Sequence, residues 1–201
     1  MEIYREQYSK TKTMKTIFLS LTLVSILFVA CNNGASDKEF SDSTASSGTT
    51  DKVTTGNKRP ADDILAGYLK IKNALTNDND KEAASTATEL AQAFKAMDKS
   101  ALTAEQSKVF ADIEDDAIEH AEHIASNAGN LVHQREHFET LSGEVYELVK
   151  ATGSAQKLYY TNCPMYNKNK GANWLSETKE VKNPYLGQAM LTCGTVKEEL
   201  N

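Results

Sequence analysis

The chain has 201 residues, with 22 basic against 28 acidic side chains and a net charge of −6 at neutral pH. That balance argues against nucleic acid as a partner, since phosphate binding needs clustered lysine and arginine. It argues equally against an electrostatic hold on anionic lipid.

Met14-Lys15 is followed by an apolar run from Ile17 to Ala30 and then by Cys31. A basic residue, an apolar stretch of about 14 residues and a small residue before the processing point is the layout of a secretory signal. The run is shorter than the roughly 20 residues a bilayer span requires. Ala30 directly before Cys31 resembles a bacterial lipobox, with Phe28 where leucine is commoner. Residues 1–30 are therefore expected to be a signal peptide with its true start at Met14, and Cys31 to be the lipid anchor of the mature chain. Several acyl chains would make that anchor firm. Loss of residues 1–30 removes Arg5, Lys10, Lys12 and Lys15 against Glu2 and Glu6, moving the net charge from −6 to −8. The expected location is the bacterial cell envelope, at the outer membrane facing the periplasm.

From Asn32 to Arg59 the chain is mostly Ser, Thr, Gly, Asn, Asp and Lys. So few apolar residues cannot offset the entropy of ordering. Residues 31–59 thus read as a lipid-anchored cysteine and a disordered tether, with a mean reach of about 30 Å.

Helical periodicity then appears four times between residues 60 and 153. The first helix is expected from Pro60 to about Leu75, with Ile64, Tyr68, Ile71 and Leu75 on one face. The second runs from about Asp80 to Met97, with Ala83, Ala87, Leu90, Phe94 and Met97 in line, and Asn79 and Glu82 have cap spacing. The third runs from Thr103 to about Ser126, with Phe110, Ile113, Ala117, Ala121 and Ile124 inward; Thr103 and Gln106 make a capping-box pair. The fourth runs from Asn130 to Thr152, with Leu131, Phe138, Leu141, Val145 and Leu148 inward and Gly153 as its stop. Short loops favour antiparallel neighbours, so the expected fold is all-α, an up-down four-helix bundle. About 95 residues suffice for such a core.

Residues 154–201 hold Tyr159, Tyr160, Tyr166, Trp174 and Tyr185, together with Cys163 and Cys193. The segment is too aromatic for disorder and is expected to pack irregularly on the bundle as part of the same domain, with short strands at Leu158–Thr161 and Met190–Thr192.

Chemistry concentrates in this tail. Cys163-Pro164-Met165 and Met190-Leu191-Thr192-Cys193 each offer one thiol and one thioether. Soft sulfur ligands of this kind select Cu(I), or Ag(I) by analogy; zinc would take the thiolates, but methionine suits it poorly. In an envelope where disulfides persist, a Cys163–Cys193 bridge beside two core methionines is the alternative, and both remain open. His133 and His137 stand at i, i+4 and can share a helix face, with His137 at the edge of the apolar face and His133 further out. On the third helix His120 falls within the apolar stripe and His123 outside it. A site between the last helix and the tail would use His137, then His133, as auxiliary ligands. Arg135 is placed to hold the tail through backbone carbonyls or to pair with a nearby glutamate. No nucleophile–base triad, phosphate loop or HExxH pattern is present, and Glu114-Asp115-Asp116 reads as a solvated face, so an enzyme is not expected.

The ordered motifs Tyr160-Thr161-Asn162-Cys163-Pro164-Met165, Lys170-Gly171-Ala172-Asn173-Trp174-Leu175-Ser176, Asn183-Pro184-Tyr185-Leu186-Gly187 and Met190-Leu191-Thr192-Cys193-Gly194 resemble an uncharacterised bacterial envelope family. Gln134-Arg135-Glu136-His137-Phe138 with Leu141-Ser142 resembles its last-helix signature. That family occurs as stand-alone lipoproteins and fused to periplasmic adaptor subunits of heavy-metal efflux pumps of the resistance-nodulation-division type. The resemblance covers about residues 60–198, with Leu186 standing where phenylalanine is common. It implies a metal-handling role: binding Cu(I) or Ag(I) and buffering it or passing it to an efflux adaptor. Cys163-Pro164-Met165 is also similar to the Cys-Pro-Met of short heavy-metal-binding modules, although Tyr166-Asn167 replace the His-Pro that follows there. No organic cofactor is implied. The alternative to metal handling is a structural or protein-interaction module whose tail is pinned by the Cys163–Cys193 disulfide.

Overall fold

The computed structural model describes residues 59–201. The expected signal peptide, Cys31 and nearly all of the tether lie outside the described residues.

Four long helices follow one another: α1 (Asp62–Thr76), α2 (Asp80–Lys95), α3 (Ala104–Ser126) and α4 (Leu131–Thr152). Each packs on the next, and α4 returns to touch α1. The caps match their sequence signals. Asn79 accepts from the Glu82 amide at 3.2 Å. Thr103 and Gln106 form the reciprocal box at the head of α3, and Asn130 accepts from the His133 amide. Gly153 ends α4 with φ +73°, backbone that glycine adopts without a Cβ penalty. The expected inward residues are buried, with two exceptions: Leu131 is only partly covered, and Met97 packs at the core edge beyond the end of α2. The first helix starts two residues later than Pro60 suggests, because the chain turns through Pro60 and Ala61 first.

The all-α expectation requires correction. After α4 the chain forms a three-stranded antiparallel sheet, order β2-β1-β3, from β1 (Leu158–Cys163), β2 (Ala172–Ser176) and β3 (Thr195–Leu200). The strand expected at Leu158–Thr161 extends to Cys163, with Tyr160 opposite Leu175 and Thr161 opposite Trp174. The strand expected at Met190–Thr192 is absent: those residues turn, and β3 begins three residues later. β3 is an edge strand with Lys197, Glu198 and Glu199, charges that keep an open edge from pairing with other chains.

The tail shares the bundle's core. Trp174, Leu175 and Tyr185 are fully or almost fully buried with Tyr68 and Phe138. The Tyr68 ring stacks on Phe138 with centroids 5.1 Å apart. Its hydroxyl accepts from the Leu175 amide at 3.0 Å and meets the Ser142 hydroxyl at 2.9 Å. Burial pushes the Tyr68 phenol well above its ordinary pKa, so it remains a neutral hydrogen-bonding group. Lys72 lies almost fully buried on α1 and pairs with Glu177, just past β2, at 2.7 Å. Burial holds the Lys72 pKa below its ordinary value, while the bond to Glu177 works against that shift.

Candidate functional site

Cys163 ends β1 and is fully buried; Cys193 lies in the turn before β3 and is partly covered. Thirty positions apart, their sulfurs converge to 2.7 Å, and both cysteines are free. The motifs around them explain the convergence. Asn183, itself buried, donates from Nδ2 to the Cys193 carbonyl at 2.7 Å, and its backbone amide donates to the Leu191 carbonyl at 2.8 Å. Its Oδ1 accepts from the amides of Tyr185 and Leu186. A single asparagine thus fixes the 183–186 turn and the cysteine turn together. Gly194, at φ +148°, passes so close to Trp174 that a Cβ would lie 2.8 Å from the ring. Only glycine brings the chain over the tryptophan at this point.

Met165 and Met190 meet the Cys193 segment through their backbones, and their side chains are exposed, 50% and 40% respectively. The Cys193 amide donates to the Met190 carbonyl at 3.1 Å. Burial pushes the Cys193 thiol up, its bond to Cys163 adds to that, and the Met165 backbone amide opposes it. At this separation the sulfurs lie within reach of a disulfide, and to share one soft ion they would have to move apart. Taking an ion would expel protons, because the thiolate is the ligand.

The histidines lie elsewhere. Residues 135 and 139 of α4 face the tail. Arg135 donates to the Pro184 carbonyl (2.8 Å) and the Leu75 carbonyl (2.9 Å) and pairs with Asp78; Glu139 accepts from Asn167. The backbone-carbonyl role expected of Arg135 is the one observed, with the aspartate of the α1–α2 turn added. At about 100° per residue, His133 and His137 point instead toward α3. There His137 Nδ1 is 3.0 Å from His120 Nδ1, and His137 Nε2 is 3.1 Å from His133 Nε2. The His123 and His137 rings stack with centroids 4.3 Å apart. One ring nitrogen each of His123, His133 and His137 falls within a 4.8 Å group, and no cysteine belongs to it. The structure therefore joins Cys163 with Cys193 and joins His133 with His137, but the two sets sit on different faces of α4. His120 and His123, which have no part in the site expected from the sequence, belong with the second set. Their spacing carries the signal: His123 and His133 stand almost equally far from the α3–α4 turn, and His120 and His137 one helical turn beyond them. An antiparallel helix pair brings such positions together.

Burial lowers the His137 pKa to about 4, with His123, His133 and His120 adding to the shift, and burial also lowers that of His120. Glu144, two turns beyond His137 on α4, is raised to about 7, first by burial and then by Asp116 and Glu147. Among the described residues no helix is long and apolar enough to cross a membrane.

No curated protein and no solved structure matches this chain. A family model described as protein of unknown function (DUF3347) matches residues 64–157. That stretch begins in the first turn of α1, runs through the other three helices and all four histidines and stops just short of β1, so over the bundle the chain is similar to a family of undefined function.

Proposed function

We propose that the protein is a non-enzymatic, lipid-anchored envelope protein that binds a soft monovalent ion, Cu(I) or Ag(I), and buffers it or hands it to the periplasmic adaptor of a heavy-metal efflux pump. The observation that supports this reading best is the meeting of two free thiols, drawn from chain segments 30 residues apart, each with a solvent-exposed methionine within three positions in the sequence. A site whose thioethers stay open to solvent can take up and release an ion by ligand exchange, whereas a buried cage would hold it. The acyl anchor at Cys31 and the tether would keep the domain near a membrane pump and raise its effective concentration there.

Competition with a Cu(I) chelator under reducing conditions tests the reading. One equivalent should bind, and Cys163→Ser should remove most of the affinity. The same 2.7 Å separation favours a second reading, in which the cysteines form a bridge that pins the tail. That reading predicts an oxidised pair in protein isolated without reductant, indifference to Cu(I), and a marked fall in melting temperature on reduction. Mass spectrometry of thiol state and metal content on one sample separates the two.

A further inference from the structure

We propose that His123, His133 and His137 form a second metal site, between α3 and α4, for a borderline divalent ion of the zinc or copper(II) type, with His120 and Glu144 as its outer support. It stands independently of the thiol reading. A tetrahedral ion with bonds of about 2.0–2.1 Å places its nitrogen ligands about 3.3 Å apart. The Nε2 atoms of His133 and His137 are already 3.1 Å apart, and all three candidate nitrogens lie within 4.8 Å of one another. Small ring rotations bring the third ligand in.

The outward nitrogens make the stronger case. Imidazoles that hold metals almost always donate their other N–H to a carboxylate, carbonyl or water. Here His133 Nδ1 lies 3.3 Å from Glu136, and His123 Nε2 lies 3.7 Å from Glu119, leaving its Nδ1 for the ion. His137, bound through Nε2, would donate from Nδ1 to His120 Nδ1. His120 would then carry its proton on Nε2, which faces Glu144 at 3.7 Å. One consistent set of tautomers therefore runs from the ion through His137 to His120, whose Nε2 faces a carboxylate at ion-pair rather than hydrogen-bond distance. The carboxylate it faces is Glu144, through Oε1.

Imidazole without sulfur suits Zn(II) and Cu(II), whereas thiolate and thioether suit Cu(I). The two sites would sort ions by softness and oxidation state. Three protein ligands leave a fourth position for water or an incoming ligand.

Titration of the purified protein with Zn(II) against a chromophoric chelator, with Cu(II) loading followed by electron paramagnetic resonance, tests this. The expected result is one equivalent of Zn(II) and a Cu(II) spectrum with nitrogen coupling. Zn(II) affinity should fall at least about 100-fold in His123→Ala and in His133→Ala, both partly exposed positions whose folding circular dichroism can verify. It should be unchanged in Cys193→Ser, the variant expected to abolish Cu(I) binding. Unaltered zinc affinity in both histidine variants would overturn the proposal, as would its loss in Cys193→Ser or a sulfur-to-copper charge-transfer band. Failure of Cu(I) binding with intact zinc binding would refute the thiol reading alone.

Discussion

The Lys72–Glu177 pair offers the sharpest quantitative test of how the tail is held. Lys72 is 1% and Glu177 31% exposed along the side chain, so Glu177→Gln leaves an ammonium in the protein interior without its counter-charge. Breaking a buried pair in this way costs about 3–5 kcal/mol. The penalty also has a ceiling. A lysine can always fold neutral, giving up its proton at about 1.36 kcal/mol per pH unit below a reference near 10.4, about 4.6 kcal/mol at pH 7 and about 1.9 at pH 9. The folded-state pKa lies below the unfolded one, so the unfolded chain binds more protons and stability of the variant rises with pH. Urea denaturation should therefore show Glu177→Gln destabilised by about 3–4.5 kcal/mol at pH 7 and by about 2 at pH 9. Adding Lys72→Met to the variant should recover most of the loss, since an apolar replacement for a buried pair is often neutral. Equal penalties at the two pH values, or a loss below about 1 kcal/mol at pH 7, would mean that Lys72 reaches water and that the reasoning fails.

Other expectations are simpler. Thr103→Ala removes half of the box at the head of α3 and should cost about 1 kcal/mol in chemical denaturation. Gly187→Ala forces a side chain onto backbone at φ +52° and into the Asp78 carboxylate and Arg135 guanidinium; a loss of about 1–3 kcal/mol is expected, with faster amide exchange at 183–188. Trp174→Ala empties the largest buried side chain and should cost about 3–5 kcal/mol, a fall in Tm on the order of 10 °C.

The helices were legible because period and caps agree. Ile64, Tyr68, Ile71 and Leu75 repeat at helical spacing, and Asn79, Thr103 and Asn130 satisfy amides where the chain needs them. The sheet was half legible. Tyr and Trp in the tail announced burial, but β2 is five residues long with four of them covered, so it shows no alternation. β3 exposes Lys197 and Glu199, which read as loop. The meeting of Cys163 and Cys193 was implied by paired motifs, yet its agent, Asn183 bonding to the Cys193 carbonyl, has no sequence pattern of its own. For the histidines, the i, i+4 pair was visible. Its orientation was not, because a ring at the edge of an apolar face can turn either way until α3 is docked on α4.

Residue 157, where the family match stops, is a poor place to cut the gene. Trp174, Leu175 and Tyr185 wedge into the same interior as Tyr68 and Phe138, so a product ending there would carry an oily trench along α1 and α4 and would be expected to clump. Leu200 is itself covered, which puts the sensible end of a recombinant fragment after the last strand.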